Sequence, residues 1–123
     1  MSSIIEVQTQ LYPASIYAFP AEPHMHYRNT DQVLEYLHAY PAIGLFLQAA
    51  WPQLVKHFGD QLEVTLELLY FADEQTEPEL VGWIHYAGDL ETGVRKLDAF
   101  NESWFLDNMD EFSGRLNFNL EFQ

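Results

Sequence analysis

The sequence of 123 residues contains no cysteine. This absence excludes disulfides, thiolate catalysis, iron–sulfur clusters and zinc sites built on Cys. Glycine is also scarce, and the six glycines are scattered along the chain. No glycine-rich loop that could bind phosphate is therefore present, and nucleotide binding is disfavoured. We expect no cofactor.

The chain also has few positively charged side chains. Five Lys and Arg residues stand against nineteen Asp and Glu residues, which gives a formal net charge of −14. No Lys or Arg occurs between Lys56 and Arg95, although Asp and Glu recur throughout that stretch. A strongly negative protein repels phosphate and anionic lipid. We therefore expect no direct binding to nucleic acid and no binding to a membrane surface.

Long hydrophobic runs are missing too. The most apolar stretch, residues 42–51, is interrupted by Gln48 and stopped by Pro52, well short of the roughly 20 residues that span a bilayer. The first ten residues lack the basic start and apolar run of a secretory signal. We expect a soluble, cytoplasmic protein. Its hydrophobic content of 48% favours a single folded domain covering residues 1–123.

Apolar periodicity predicts the secondary structure. Alternation of apolar and polar residues, or a run of β-forming residues, predicts strands at 5–11, 62–68, 80–87 and 116–122. Helical spacing predicts helices at 30–40 and 42–58, with two more beginning after Asp89 and Asn101. Thr30, Asp89 and Asn101 are the predicted N-caps. Segment 13–29, which contains three prolines, is predicted to be a long loop.

The predicted order β-loop-α-α-β-β-α-α-β indicates an α+β domain of two layers. In this arrangement, helices cover one face of a small antiparallel sheet. The strand periodicity predicts that the other face carries polar side chains. These are Glu63, Glu67, Asn117, Asn119 and Glu121.

Two histidines offer a candidate metal site. His24 and His26 stand two residues apart, so an extended backbone would direct both imidazoles to the same side. Further ligands would have to come from His57, His85 or a carboxylate. One hypothesis is therefore a metal-dependent enzyme that uses His24, His26 and nearby acids. The alternative is a solvated loop with no metal.

A candidate protein interface combines acids and aromatics. Residues 96–108 set Phe100, Trp104 and Phe105 among acidic side chains. Aromatic anchors with steering charges are typical of interfaces, although the same aromatics could simply fill the core. The predicted partner-binding residues are Glu63, Glu67, Asp98, Glu102, Trp104 and Asp107.

The leading functional hypothesis is a non-enzymatic protein-binding or regulatory module. Its partner would be another, basic protein, and the chain would act as an inhibitor, immunity factor or antitoxin. Carboxylates spaced over a rigid domain can imitate phosphate and occupy a basic groove. A third hypothesis is a homodimeric structural module whose exposed aromatics pair with those of a second copy.

Overall fold

The computed structural model describes residues 24–73, 75–109 and 115–123. The strands are β1 (Met25–Tyr27), β2 (Val64–Leu69), β3 (Glu79–Tyr86) and β4 (Leu116–Phe122). The helices are α1 (Thr30–Ala39), α2 (Pro41–Phe58) and α3 (Leu90–Phe100). Helix α3 runs on through one π-helical turn, Asn101–Phe105, into the short α4, Leu106–Asn108. The strand predicted at 5–11 lies outside the described residues.

The fold class is confirmed: a small α+β domain with helices on one face of a sheet. The sheet has the order β1-β2-β3-β4. It was predicted to be antiparallel, and this is wrong, because β1 and β2 are parallel and β3 and β4 are parallel. Both pairs are joined by helical crossovers, which return the chain to the end of the sheet where it started. Among the described strands, only the β2–β3 hairpin reverses direction.

The predicted loop at 13–29 is also corrected in its described part. Met25–Tyr27 forms β1 and pairs with Val64–Leu66 of β2. A strand of three residues is too short to show a convincing alternation of apolar and polar residues, so no sequence pattern predicts it. The prolines of this segment, at positions 13, 20 and 23, lie outside the described residues.

Helix α2 ends at Phe58 as predicted and begins at Pro41, one residue before the predicted start. Pro41 occupies the first turn, where its missing amide hydrogen is not needed. Gly59 ends the helix with φ 97°, a conformation that favours glycine. The predicted cap Thr30 is wrong, because Asn29 occupies the N-cap position of α1 with φ 55° and makes no side-chain cap. Thr30 is instead the first helical residue.

The other two predicted caps have opposite outcomes. Asp89 caps α3, since its carboxylate accepts a hydrogen bond from the Thr92 amide at 2.9 Å. Asn101 does not cap a new helix: its backbone is helical, with φ −61° and ψ −47°. The chain passes directly from α3 into the π-helical turn, so no free helix start exists there for a side chain to cap.

The core lies between the helices and the sheet. Its centre is an aromatic cluster in which the Phe118 ring meets the rings of Phe100 and Phe105 edge to face, both at 5.5 Å between centroids. All three side chains are buried. Within the described ranges, no helix is long and apolar enough to cross a membrane.

Candidate functional site: the open face of the sheet

The open face is the side of the sheet that points away from the helices. Core-facing residues of the strands, such as Leu66, Ile84 and Leu120, are buried, so their neighbours in sequence point the other way. Strand register then brings polar side chains from all four strands together. The open face carries His24, His26, Arg28, Glu63, Thr65, Glu67, Val81, Trp83, His85, Asn117, Asn119 and Glu121. The five polar residues predicted for this face are among them.

Glu67 and Arg28 form the centre of the open face. The Glu67 carboxylate accepts hydrogen bonds from the Trp83 indole at 2.9 Å and from Arg28 Nη1 at 3.1 Å. Arg28 reaches on across the sheet and donates from Nη2 to Glu121 Oε2 at 3.3 Å. One guanidinium thus bridges carboxylates from two strands that are not neighbours.

The electrostatics of this bridge favour the charged guanidinium. Burial alone would lower the pKa of Arg28, but hydrogen bonds and attraction to Glu121 and Glu67 outweigh this effect and raise the pKa. Its side chain is 42% exposed, and those of Glu67 and Glu121 are 23% and 33% exposed. The three groups are therefore positioned by one another and still reachable from solvent.

Histidines extend the network toward the other end of the strands. His85 Nε2 lies 2.7 Å from Thr65 Oγ1 and 3.4 Å from Glu121 Oε1. The His85 ring stacks on that of His26, with 6.0 Å between centroids and 15° between planes. His26 Nε2 in turn lies 2.7 Å from Glu63 Oε1.

Glu63 is surrounded by imidazoles. The hydrogen bond with His26 lowers the pKa of the Glu63 carboxyl, and charge on His26, His24 and His85 lowers it further. Glu63 is thus ionised more readily than an ordinary glutamate. Together these contacts connect side chains from all four strands into one network on the open face.

The predicted metal ligands lie on this face. His26 lies in β1 and points to the open side, and His24, which directly precedes β1, is close enough to act electrostatically on Glu63 of the same face. In the part of the chain that the structure describes, no group of three or more His, Asp or Glu side chains is arranged to hold a metal ion. The metal-dependent enzyme stays a hypothesis based on the sequence.

The predicted partner-binding residues fall on two surfaces. Glu63 and Glu67 lie on the open face, while Asp98, Glu102 and Asp107 are exposed on the helical layer. Trp104 is half-buried, and its ring stacks on that of Phe46 with 5.0 Å between centroids. Packing in the core therefore explains much of the burial of the Trp104 side chain. The six residues do not form one continuous surface.

Sequence reasoning missed several members of the network. The sequence predicts a loop at Arg28, so no pattern indicates that Arg28 faces Glu67. Trp83 and His85 belong to a predicted strand, and their alternation with the buried Ile84 is a signal that could have placed them on the open face. Glu121 was assigned to this face, but it was not identified as a site residue.

A second polar pair links two helices. His57 Nε2 lies 3.2 Å from Ser103 Oγ, which joins α2 to the π-helical turn. Burial, together with the nearby charge of Lys56, lowers the pKa of His57 and favours the neutral imidazole. A nucleophile–base pair also needs a group that orients the base, and none of the described carboxylates contacts His57. We interpret the contact as a structural link.

Comparison with known proteins gave no match among protein-family models, curated proteins or solved structures.

Proposed function

We propose that this chain is a non-enzymatic protein-binding module, and that its open face engages a basic surface on another protein. The observation that carries the proposal is the positioning of three carboxylates. Glu63, Glu67 and Glu121 are each held by a side chain of the same face at 2.7 to 3.3 Å. Side chains that are ordered before binding lose less conformational entropy when the partner arrives.

The charge of the whole chain supports the same partner. A net charge of −14 accelerates the approach of a cationic protein and repels nucleic acid and anionic lipid. On the open face itself, Arg28 offsets only part of the charge of the three carboxylates. The face is therefore complementary to a patch rich in lysine and arginine.

Trp83 adds an anchor to this electrostatic surface. It is half-buried on the open face, and its indole N–H is held by Glu67 at 2.9 Å. Tryptophan is enriched among the residues that dominate binding energy, because it buries a large apolar area at a small entropic cost. An inhibitor, immunity factor or antitoxin that acts on a basic enzyme would use a surface of this kind.

The test is an NMR titration of the isotopically labelled full chain with an oligoarginine peptide, and with an oligoglutamate peptide as control. We expect the oligoarginine peptide to shift resonances of the open face, including the Trp83 indole, and to bind more weakly as salt rises. Oligoglutamate should cause no such shifts. Shifts confined to the helical layer, or affinity that does not respond to salt, would contradict the proposal.

Two double variants identify the surface. Glu63→Gln with Glu67→Gln removes two charges from the open face, and Asp98→Asn with Glu102→Gln removes two from the helical layer. Partly exposed ion pairs contribute about 1 kcal/mol or less each, so the first variant, which removes two charges, should weaken binding by up to about thirtyfold. The second should change it much less. Equal losses in both variants would mean that only net charge matters and that the open face is not the binding surface.

A further inference from the structure

A cleft lies at the hairpin end of the sheet, between α1 and the residues that flank the β2–β3 connection. Its volume is about 200 Å³. A cavity of about 150 Å³ is known to accept a benzene ring, so this cleft has room for one planar side-chain group. It is lined by Gln32, Glu35, Tyr36, Leu68, Tyr70 and Pro78.

Aromatic rings form the cleft walls. Tyr36 lines the cleft and is 8% exposed, and its hydroxyl donates a hydrogen bond to the Arg115 carbonyl at 3.1 Å, which fixes the position of its ring. Tyr70 is 62% exposed, and Phe71 beside it is 44% exposed. Two consecutive aromatic side chains left in solvent are not explained by core packing, and exposed apolar surface of this kind often marks a contact site.

The surroundings of the cleft are negative. Glu35 stands on its rim. Burial raises the pKa of Tyr36 to about 12, and the carboxylates of Glu77 and Glu79 lie close enough to contribute. Arg115 acts on Tyr36 in the opposite direction, and its guanidinium is paired with Glu77 at 3.6 Å. The cleft therefore favours a cation.

The chain itself shows how a cation is held at this end of the fold. The Arg115 guanidinium lies over the ring of Tyr40, 4.7 Å from its centroid. Tyr40 packs against Tyr36, with 4.9 Å between the two centroids. A tyrosine next to the cleft wall thus already binds a guanidinium through a cation–π contact.

We infer that the cleft takes an arginine side chain of the partner protein, with the guanidinium between the rings of Tyr36 and Tyr70 and the Glu35 carboxylate as its counter-charge. Arginine fits better than lysine because a planar, weakly hydrated guanidinium stacks on aromatic rings. The inference rests on the proposed function and adds the type of residue that anchors the partner. Glu67 of the open face and Leu68 of the cleft are consecutive in β2 and therefore point to opposite sides of the sheet, so a partner that contacts both surfaces has to wrap around the hairpin end.

The probe is N-acetyl-arginine amide, titrated into the labelled full chain and followed by NMR of the aromatic and backbone signals. N-acetyl-citrulline amide, which has nearly the same shape without the charge, is the control ligand. We expect the arginine compound to shift the signals of Tyr36 and Tyr70 and to bind at least about threefold more tightly than the citrulline compound. The open face should respond much less to this single side chain.

Variants assign the contacts. Tyr70→Ala and Glu35→Gln should each weaken binding of the arginine compound by about threefold or more. Asp31→Asn removes a charge from the same helix outside the cleft lining, and it should change binding less than Glu35→Gln. Both Tyr70 and Glu35 are exposed, so circular dichroism of the variants should match that of the parent chain.

The outcomes separate this inference from the proposed function. If the two small compounds act alike, or neither shifts the cleft signals, the cleft inference fails, while the open-face titration with oligoarginine still decides the proposed function. If the cleft binds the arginine compound but oligoarginine shifts no signal on either surface, the proposed function fails. The inference that the cleft anchors a protein partner then fails with it.

Discussion

Replacing Glu67 by leucine should destabilise the protein, because this carboxylate holds two donors of the open face. It accepts the Trp83 indole N–H at 2.9 Å and Arg28 Nη1 at 3.1 Å. Its side chain is 23% exposed. Leucine would leave the half-buried indole without its acceptor and would leave Arg28 with Glu121 as its remaining carboxylate.

The magnitude follows from how far each contact is buried. A hydrogen bond to a charged acceptor contributes about 1.5–3 kcal/mol, and the partial exposure of this site favours the lower end. The pair with Arg28 contributes about 1 kcal/mol or less, since the guanidinium is 42% exposed. Leucine regains about 0.5 kcal/mol as a better strand residue. Glu67→Leu is therefore expected to lower the free energy of unfolding by about 1.5 kcal/mol.

Glu67→Gln is the matched control. Glutamine can still accept the Trp83 indole hydrogen and loses only the charge, so we expect a loss of about 0.5 kcal/mol. Urea denaturation followed by circular dichroism measures both values, and the NMR signal of the indole proton reports its hydrogen bond. Equal stability of the two variants, with an unmoved indole signal in both, would refute the idea that Glu67 organises the open face.

Two further predictions concern Gly82 in the core and the pair of Glu63 and His26 on the open face. Gly82→Ala should lower the free energy of unfolding by about 1–3 kcal/mol, because its new Cβ would lie 2.6 and 2.7 Å from two ring atoms of the buried Phe118. Urea denaturation should show this loss, and adding Phe118→Leu should recover part of it. The folded-state pKa of Glu63 is lowered from 4.5, so its stabilising effect is present above that value and disappears as pH falls through the lowered pKa. His26→Ala, which removes the donor, should therefore raise the pKa of Glu63, measured by carboxyl NMR, and an unchanged pKa would contradict the hydrogen bond.

The elements that sequence reasoning predicted correctly are those with a long, uninterrupted period. Strand β4 alternates four apolar residues with polar ones. Leu116, Phe118 and Leu120 are buried as expected, while Phe122 at the end of the strand is 45% exposed. Helix α2 is apolar over many turns, so its extent from Pro41 to Phe58 was also close to the prediction. Such patterns report which side of an element is buried, whatever the rest of the chain does.

The relative directions of the strands could not be read in the same way. Alternation of apolar residues is the same for parallel and antiparallel strands, and the choice depends on how the connecting segments pack. Here the connections from β1 to β2 and from β3 to β4 are helical, which makes both pairs parallel. The sequence contained the helices, but strand β1 was too short to be recognised.

The candidate site was only half predictable for a related reason. Acidic residues near aromatics occur both around Glu67 and around Trp104, and composition does not distinguish the two settings. The fold separates them, because Trp104 packs against Phe46 while Glu67 binds Arg28. That second contact joins residues 39 positions apart in sequence. Pairings over such distances depend on strand register, which no local pattern specifies.

The side chains of β4 favour binding through the open face over binding at the edge of the sheet. Within the described residues β4 is an edge strand, and its Gln123 amide bonds to the Tyr86 carbonyl of β3. Since amides alternate along a strand, those of Phe118 and Leu120 point away from β3. Both amides already donate hydrogen bonds, that of Phe118 to Asn117 Oδ1 at 3.0 Å and that of Leu120 to Asn119 Oδ1 at 2.8 Å.

A partner that added a strand to β4 would have to break these two hydrogen bonds before forming its own. The asparagines thus act against strand addition, as charged residues and bulges do on other edge strands. A partner that contacts side chains on the open face leaves them in place. It meets a surface whose carboxylates are already positioned by Arg28 and His26, so at the β4 side of the described sheet contact through side chains costs less than strand addition through the backbone.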